Sequence, residues 1–286
     1  MQSSFNRSVK LVISLAFLAV CYVRNVFRRM AGRRVPGSAV VLYYHGIRPE
    51  QRKRFARQMD MLLKYARPVK ADFSSSVPDG SSLVAVTFDD GFLSFLETAL
   101  PELKERKIPS TLFMIAGDLG CYPDWSGYIP DPSFTEPLLT ADQLRLLPPE
   151  SVTIGSHTLT HPTMTELNED ETMRELVESR ERLEKTLGRT VTLFSFPHGA
   201  FHEKLIECCR ESGYERVFTI LPYLAFSAPG EYAVGRVRTD PEDWPVEFWL
   251  KLMGAYSWLP LAYALKRKIF AERMTPPPPD FERRAA

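Results

Sequence analysis

The sequence predicts an α/β fold in which a mostly parallel sheet closes, or nearly closes, into a barrel covered by helices. Short apolar runs rich in β-branched residues alternate with segments of helical periodicity over most of the chain. That alternation is typical of parallel sheets, and about seven such runs are enough for an α/β barrel. The net charge of +1 in 286 residues gives no reason to expect nucleic acid as a partner.

Residues 1–35 are predicted to be a membrane anchor or signal-like segment followed by a basic linker. Residues 9–23 are almost wholly apolar, and five arginines follow between residues 24 and 34. A retained anchor is favoured over a cleaved signal, because no small-x-small cleavage site follows and Val20 makes a poor lipoprotein site. The apolar core is short for a span of roughly 20 residues, so spanning the bilayer and lying in its interface both stay open. The arginines, and four cysteines without a disulfide pattern, favour the cytoplasmic face over the periplasmic or extracellular one.

Residues 36–247 are predicted to form the globular domain, in which strands and helices alternate. The predicted strands are 39–44, 83–86, 110–116, 151–154, 191–196, 216–220 and 232–237. The predicted helices are 51–66, 92–106 with a break or a new start at Pro101, a short one opened by the capping box Thr140–Gln143, 169–187 ended by Gly188, and 203–212. A long irregular insertion is predicted at 117–137, and loops of that length are usually functional.

Two further segments follow the globular domain. Residues 248–274 are apolar, aromatic and basic, and they are expected either to pack on the barrel or to lie on a membrane. Residues 275–286 begin with a run of prolines and are expected to form a disordered tail.

The polar candidates of the chain share one position, just past the C-terminal end of a predicted strand. They are His45, Asp89, Asp90, His157, His161 and His198. The active sites of α/β barrels assemble at this end of the strands. If these histidines had unrelated structural roles, they would not be expected to lie together at one end of the barrel.

Asp89 and Asp90 are adjacent carboxylates, so their side chains point in different directions and are expected to do different jobs. His157 and His161 resemble a metal pair, set in a turn because Pro162 disfavours helix at the residue before it. One carboxylate and two imidazoles leave coordination positions for water and a substrate oxygen. We therefore expect Asp90, His157 and His161 to hold a divalent cation, which would also allow both aspartates to stay ionised.

Three motifs, in this order, resemble those of a known family. Thr87-Phe88-Asp89-Asp90-Gly91, Ser156-His157-Thr158-Leu159-Thr160-His161 and Phe196-Pro197-His198-Gly199 are similar to the first three motifs of the polysaccharide deacetylases (NodB homology, carbohydrate esterase family 4). The resemblance covers roughly residues 38–245 and implies a deformed (β/α)7 barrel. It implies a divalent metal on Asp90, His157 and His161, with zinc expected first and cobalt, nickel, manganese or iron as alternatives. It also implies that Asp89 is the general base in hydrolysis of an N-acetyl group on an aminosugar.

The acid that protonates the departing amine is where the sequence departs from the family pattern. The late Leu-x-His motif is absent, because no histidine follows His202. Leu42-Tyr43-Tyr44-His45 looks like that motif moved to the N-terminal side, as in the circularly permuted branch that deacetylates exported poly-N-acetylglucosamine. Closing the barrel brings the first and last strands together, so His45 can take the role. His198 and His202 are rival acids, and a buried structural histidine is the alternative for His45.

The residue that supports the general base also departs from the family pattern. The family places an arginine two residues before the proline of the third motif, where this chain has Ser195. Arg236 could supply that charge, with Asp240 nearby, although a surface ion pair is the commoner role for such residues. Pro197–Gly199 are expected on the substrate and oxyanion side, where the backbone N–H of His198 is the candidate donor.

Together these features predict a metal-dependent N-deacetylase that acts on aminosugars of an envelope polysaccharide or a lipid-linked saccharide. The expected partners are an N-acetylated glycan or lipid-linked sugar and a membrane surface, with a role in exopolysaccharide biosynthesis. Two alternatives stay open: hydrolysis of a small non-sugar amide on the same fold, and a non-catalytic scaffold in polysaccharide export. The intact set of carboxylates and imidazoles argues against the scaffold.

Overall fold

The computed structural model describes residues 2–124 and 135–263. The expected tail at 275–286, the end of the 248–274 segment and the middle of the 117–137 insertion lie outside the described residues. The strands are β1 (Ser38–Tyr44), β2 (Arg67–Pro68), β3 (Ser82–Phe88), β4 (Ser110–Met114), β5 (Val152–Ser156), β6 (Leu193–Ser195), β7 (Arg216–Thr219), β8 (Ala233–Gly235) and β9 (Val237–Arg238). The α-helices are α1 (Gln2–Met30), α2 (Arg52–Tyr65), α3 (Leu100–Glu105), α4 (Ala141–Arg145), α5 (Glu169–Leu187), α6 (Glu203–Glu211) and α7 (Pro245–Leu252).

The sheet forms a nearly closed parallel barrel. Its strands run in the order β8-β7-β6-β5-β4-β3-β1-β9, and β2 pairs with β3 off this path. Only Arg236 separates β8 from β9, so one stretch of chain pairs with β7 through its first half and with β1 through its second. With β2 set aside and β8 and β9 counted together, the ring has seven strands. The expectation of a deformed (β/α)7 barrel is confirmed.

Both faces of the strands are buried, and side-chain alternation decides which face each residue meets. In β3, Val84 and Val86 belong to the outer cluster that packs against the helices. Leu83 and Ala85 belong to an inner cluster to which six strands contribute, which places it inside the barrel. The same alternation, continued through Thr87, directs the side chain of Asp89 toward the barrel interior.

Local signals set several element ends as expected. The hydroxyl of Thr140 accepts the amide of Gln143, whose side chain accepts the amide of Thr140, so the capping box opens α4. Gly188 ends α5 with a φ of 66°. The predicted helix 92–106 is divided, because a π-helical turn at Phe95–Ala99 precedes α3.

The two ends of the described chain pack against the barrel and against each other. α1 runs from Gln2 to Met30, well beyond the apolar core at 9–23. Of the 248–274 segment, Phe248, Leu250 and Tyr256 are buried in the outer cluster. The described part of this segment therefore packs on the barrel through these side chains.

Candidate active site

The site forms at the rim of the barrel, where the parallel strands end. Asp89 and Asp90 follow β3, and the amide of Asp89 donates to the carbonyl of Tyr44 over 2.9 Å, which continues the pairing with β1. His157 and His161 lie in the loop after β5, and His198 lies in a short 3₁₀ turn after β6. Side chains distant in sequence are thereby brought to one place.

Asp90, His157 and His161 form a buried cluster of ligand atoms. One ligand atom from each residue lies within 4.8 Å of the others. The Nε2 atoms of both histidines are 3.4 Å from Oδ1 of Asp90, and this buried oxygen accepts no hydrogen bond from the described residues. Burial would raise the pKa of Asp90, but His157 and His161 outweigh it when their imidazoles are protonated, and they then hold that pKa well below its usual range.

The tautomer of His157 also fits a cation site. Its Nδ1 lies 2.8 Å from the carbonyl oxygen of Ser195, which can only accept, so the proton is held on Nδ1. The Nε2 lone pair is then free to face Asp90 and a shared ion, an arrangement common in metal sites. An orphaned carboxylate oxygen and two converging imidazoles are a donor set that suits a divalent cation.

The loops that carry these groups are held in strained backbone conformations. Asp90, Thr158, His161 and His198 have φ values of 69°, 68°, 58° and 55°, in the left-handed region that non-glycine residues seldom occupy. Such strain persists only where surrounding contacts enforce it, and it clusters at functional sites. The turn expected at His157–His161 is confirmed.

Glu175 on α5 supplies one of those contacts, and sequence reasoning missed it. Its buried carboxylate accepts the amides of Leu159 and Thr160 over 2.8 and 3.0 Å and the hydroxyl of Thr160 over 2.7 Å. Three bonds to one carboxylate fix the loop that carries both histidines. The available signal was a charged residue on the face of α5 that also buries Leu176 and Leu183.

Asp89 is paired with Arg236, which lies where the closing strand passes from β7 to β1. The guanidinium binds both carboxylate oxygens, NH1 to Oδ1 over 2.7 Å and NH2 to Oδ2 over 2.8 Å. Arg236 is 1% exposed, so a surface ion pair is wrong for this residue. Burial opposes ionisation of Asp89, but Arg236 and His157 keep its pKa below the usual value.

Ser195 makes room for this arginine and binds it. Its hydroxyl accepts NH2 of Arg236 over 2.7 Å, and Thr87 accepts NH1 over 3.2 Å. The ring of Tyr43 packs against the guanidinium, with 4.6 Å between the ring centroid and Cζ. The positive charge that the family pattern places at residue 195 is thus supplied by Arg236, which lies 41 positions further along the chain.

His45 lies beside the aspartates at the end of β1. Tyr44 is opposite Phe88 in the register of β1 and β3, so His45 and Asp89 follow at adjacent strand ends. The imidazole is partly exposed, and its ring makes an edge contact with Tyr43. A protonated His45 would favour the ionised form of Asp89.

The loop that carries His45 is pinned by a buried network. The amide of Ile47 donates to the hydroxyl of Ser94 over 3.0 Å, and Glu136 accepts both the amide and the hydroxyl of Ser94. A Cβ on Gly46 would lie 2.6 Å from Oε1 of Glu136, so a larger residue here would displace the carboxylate that holds Ser94. Glu136 was not singled out by sequence, because only the fold brings it to this loop.

The other predicted residues are divided between the site and the surface. The ring of His198 is 4.5 Å from that of His161, beside buried Pro197, and a Cβ on Gly199 would collide with Ile220. His202 is exposed and caps α6, accepting the amide of Leu205 on Nδ1 over 3.3 Å.

Asp240 lies in an exposed turn, away from the groups that bind Asp89. Its Oδ1 accepts the amide of Glu242 over 2.7 Å, and its own amide donates to Asp243. These bonds stabilise the turn before α7, and the side-chain hydrogen bonds of Asp89 described above come from Arg236.

Residues 76–217 match the family model described as polysaccharide deacetylase. The chain is 27% identical over 158 residues to YxkH of Bacillus subtilis, whose name assigns it provisionally to the polysaccharide deacetylases; the match covers 55% of this chain and 52% of that one. It is 25% identical over 146 residues to a peptidoglycan-N-acetylglucosamine deacetylase of Bacillus cereus, covering 51% of this chain and 46% of that one. The chain thus spans about half the length of these curated relatives.

The solved structure of IcaB from Ammonifex degensii is similar over most of the chain. The two superpose with a TM-score of 0.62 and 28% identity, covering 77% of this chain and 99% of that one. The family model includes the Asp90, His157 and His161 cluster, whereas His45 and Arg236 lie outside its limits. The motifs, the seven-stranded barrel and these similarities agree, and the chain belongs to the polysaccharide deacetylase family.

Proposed function

We propose that the protein is a metal-dependent N-deacetylase of aminosugars in an envelope polysaccharide or a lipid-linked saccharide. The observation that carries the proposal is the buried cluster of Asp90, His157 and His161 directly beside an Asp89 held by Arg236. A relative is named as a deacetylase of N-acetylglucosamine in peptidoglycan, which supports an N-acetylated sugar as the substrate class.

Asp90, His157 and His161 would hold the divalent cation, with zinc as the first candidate because imidazole and carboxylate ligands suit it. When bound, such an ion supplies Lewis acidity toward the acetyl carbonyl and lowers the pKa of water. The ionised state of Asp90 and the Nδ1–H tautomer of His157 prepare the cluster for a cation.

Asp89 would accept the proton of the attacking water as general base. The two-point contact with Arg236 fixes the carboxylate plane and keeps Asp89 ionised in a buried place. The same contact makes Asp89 a weak base, so it can act only on a water that is already acidified. His45 would donate a proton to the departing amine, and the backbone N–H of His198 would stabilise the developing oxyanion.

The N-terminal helix would bring this chemistry to a membrane. Arg7–Met30 is long and apolar enough to cross a bilayer by length and composition, a property that signal sequences near an N-terminus share. We propose that the helix is retained and that the enzyme works at a membrane surface, where envelope saccharides and lipid-linked sugars are found.

A metal assay combined with acetate release tests the proposed function. Protein stripped by a chelator is expected to lose acetate release from N-acetylated glycans and to recover it when zinc is restored, because the cluster then regains its ion. His157→Ala is expected to bind less metal and to stay inactive after zinc is added. Full activity of the stripped protein, or no acetate release from a panel of glycans and lipid-linked sugars, would contradict the proposal.

Replacing His45 by Gln tests the assignment of the acid. General acid catalysis contributes about 10²- to 10⁴-fold, so hydrolysis of the amide is expected to fall by that factor. An O-acetyl ester has a better leaving group and needs less protonation, so its hydrolysis is expected to fall much less. His202→Gln is the matched control, since that ring is exposed and caps α6. Equal losses on amide and ester, or a larger loss in the control, would remove His45 from the role.

A further inference from the structure

Along residues 9–23 the outward face of α1 is apolar, whereas the polar side chains of this stretch face the protein. Between residues 9 and 23, every exposed position is apolar or aromatic: Val9, Val12, Ile13, Leu15, Ala16, Ala19, Val20, Tyr22 and Val23. The two polar residues of this stretch, Lys10 and Ser14, are turned inward, and Ser14 is fully buried. The surface helix of a water-soluble protein has the opposite arrangement, with its apolar stripe on the core.

Polar and apolar contacts fasten the inward face to the end of the globular domain. Nε of Arg7 donates to Glu247 over 2.7 Å, and its guanidinium lies over the ring of Trp244 at 4.6 Å. The hydroxyl of Ser14 accepts the indole N–H of Trp258 over 3.0 Å.

Further along the same face, Leu11 and Leu18 pack against the outer hydrophobic cluster. The docked length from residue 7 to residue 18 is about 16 Å at the rise of an α-helix.

This docking is incompatible with a helix that crosses the bilayer away from the domain. Crossing would draw Ser14 and Leu18 into lipid and leave the indole N–H of Trp258 without its acceptor. It would also remove Arg7 from Glu247, which packs with Lys251 and Asp243 in a largely buried charge cluster. A largely buried charge cluster that loses one of its balancing charges is destabilised.

We propose that α1 lies in the plane of the membrane as a docked, non-spanning anchor, with its outward apolar face in the bilayer. The occupant of that face is a bilayer with anionic headgroups, because five arginines between residues 24 and 34 follow the apolar stretch and attract such lipids. Trp244 is 45% exposed beside Arg7 and suits the same interface. The inference rests on the membrane association proposed above and decides its geometry.

Two engineered cysteines distinguish a helix in the membrane plane from a span. Ser8→Cys and Arg29→Cys lie about 30 Å apart along α1, close to the thickness of the hydrocarbon core. Each cysteine is introduced singly into the full chain, in which Cys21 and Cys121 are replaced by Ser. Cys208 and Cys209 stay in place because they are buried. In sealed membrane vesicles of an expression host, an impermeant maleimide is expected to label both sites or neither before detergent. Labelling of one site with protection of the other would overturn the in-plane geometry.

Vesicle binding tests whether the outward apolar face of α1 binds lipid. The full chain is expected to sediment with phosphatidylglycerol–phosphatidylcholine vesicles, and less with phosphatidylcholine alone. Val12→Asp with Val20→Asp is expected to lower the bound fraction at least about tenfold, since a charge within lipid is costly. Leu146→Asp is the matched control, because Leu146 is 82% exposed after α4. Equal binding of all variants, or no binding of the unaltered chain, would overturn the proposal. Acetate release from a soluble glycan is measured separately, so that loss of membrane binding is distinguished from loss of the proposed deacetylase activity.

Discussion

Asp89→Asn is expected to lower acetate release by about 10²- to 10⁴-fold, the range of a lost general base. The amide cannot accept a proton from water, although its oxygen can still accept one bond from Arg236. Asp89 is not in the proposed metal cluster, so the metal content of the variant is expected to match that of the unaltered protein. Both quantities are measured on the same preparation, at a temperature where circular dichroism shows the protein folded.

The ratio of acetate release to metal content distinguishes a general base from a metal ligand. Low activity with full metal content supports a base role, whereas low activity with lost metal would move Asp89 into the ligand set. Activity within about threefold of the unaltered protein would exclude Asp89 as the base, because it falls below the range of general base catalysis.

Arg236→Met is expected to lower the free energy of unfolding by about 3–5 kcal/mol, the cost of breaking a buried ion pair from one side. The substitution leaves the carboxylate of Asp89 buried and removes donors from Ser195 and Thr87. Urea unfolding measures the effect. Arg174→Met is the matched control, since Arg174 forms an exposed pair with Glu178 on α5 and its loss is expected to cost at most about 1 kcal/mol.

A double variant separates the charge effect from lost packing. Asp89→Asn added to Arg236→Met removes the stranded charge, so the double variant is expected to be more stable than Arg236→Met alone, yet inactive. If the second substitution destabilises further by its full separate amount, the two side chains are not coupled and the pairing would be contradicted.

The course of the backbone could be read largely from the sequence because its signals are local. Alternation of apolar runs and helical periods predicted the strands, and Thr140 and Gly188 marked helix ends through bonds to residues a few positions away. The position of Asp90, His157 and His161 also followed, because parallel strands end at one rim. Asp240 shows the limit of such reasoning, since nearness to Arg236 in sequence did not bring it to Asp89.

The partners of the site residues depend instead on how the barrel closes. Arg236 reaches Asp89 across 147 positions because the last strand passes from β7 to β1 at that residue. Glu175 holds the histidine loop because α5 packs beside β5, and neither contact leaves a short-range pattern in the chain.

The sequence by itself determined which residues lie at the rim and which chemistry they offer, since strand ends and motif spacing are local properties. The tertiary structure alone decided that Asp89 is paired with a buried arginine, that Glu175 holds the loop of the histidines, and that α1 turns its apolar face outward. Those facts depend on which surfaces meet after folding, and a contact between distant segments is fixed by packing and by the burial of charge.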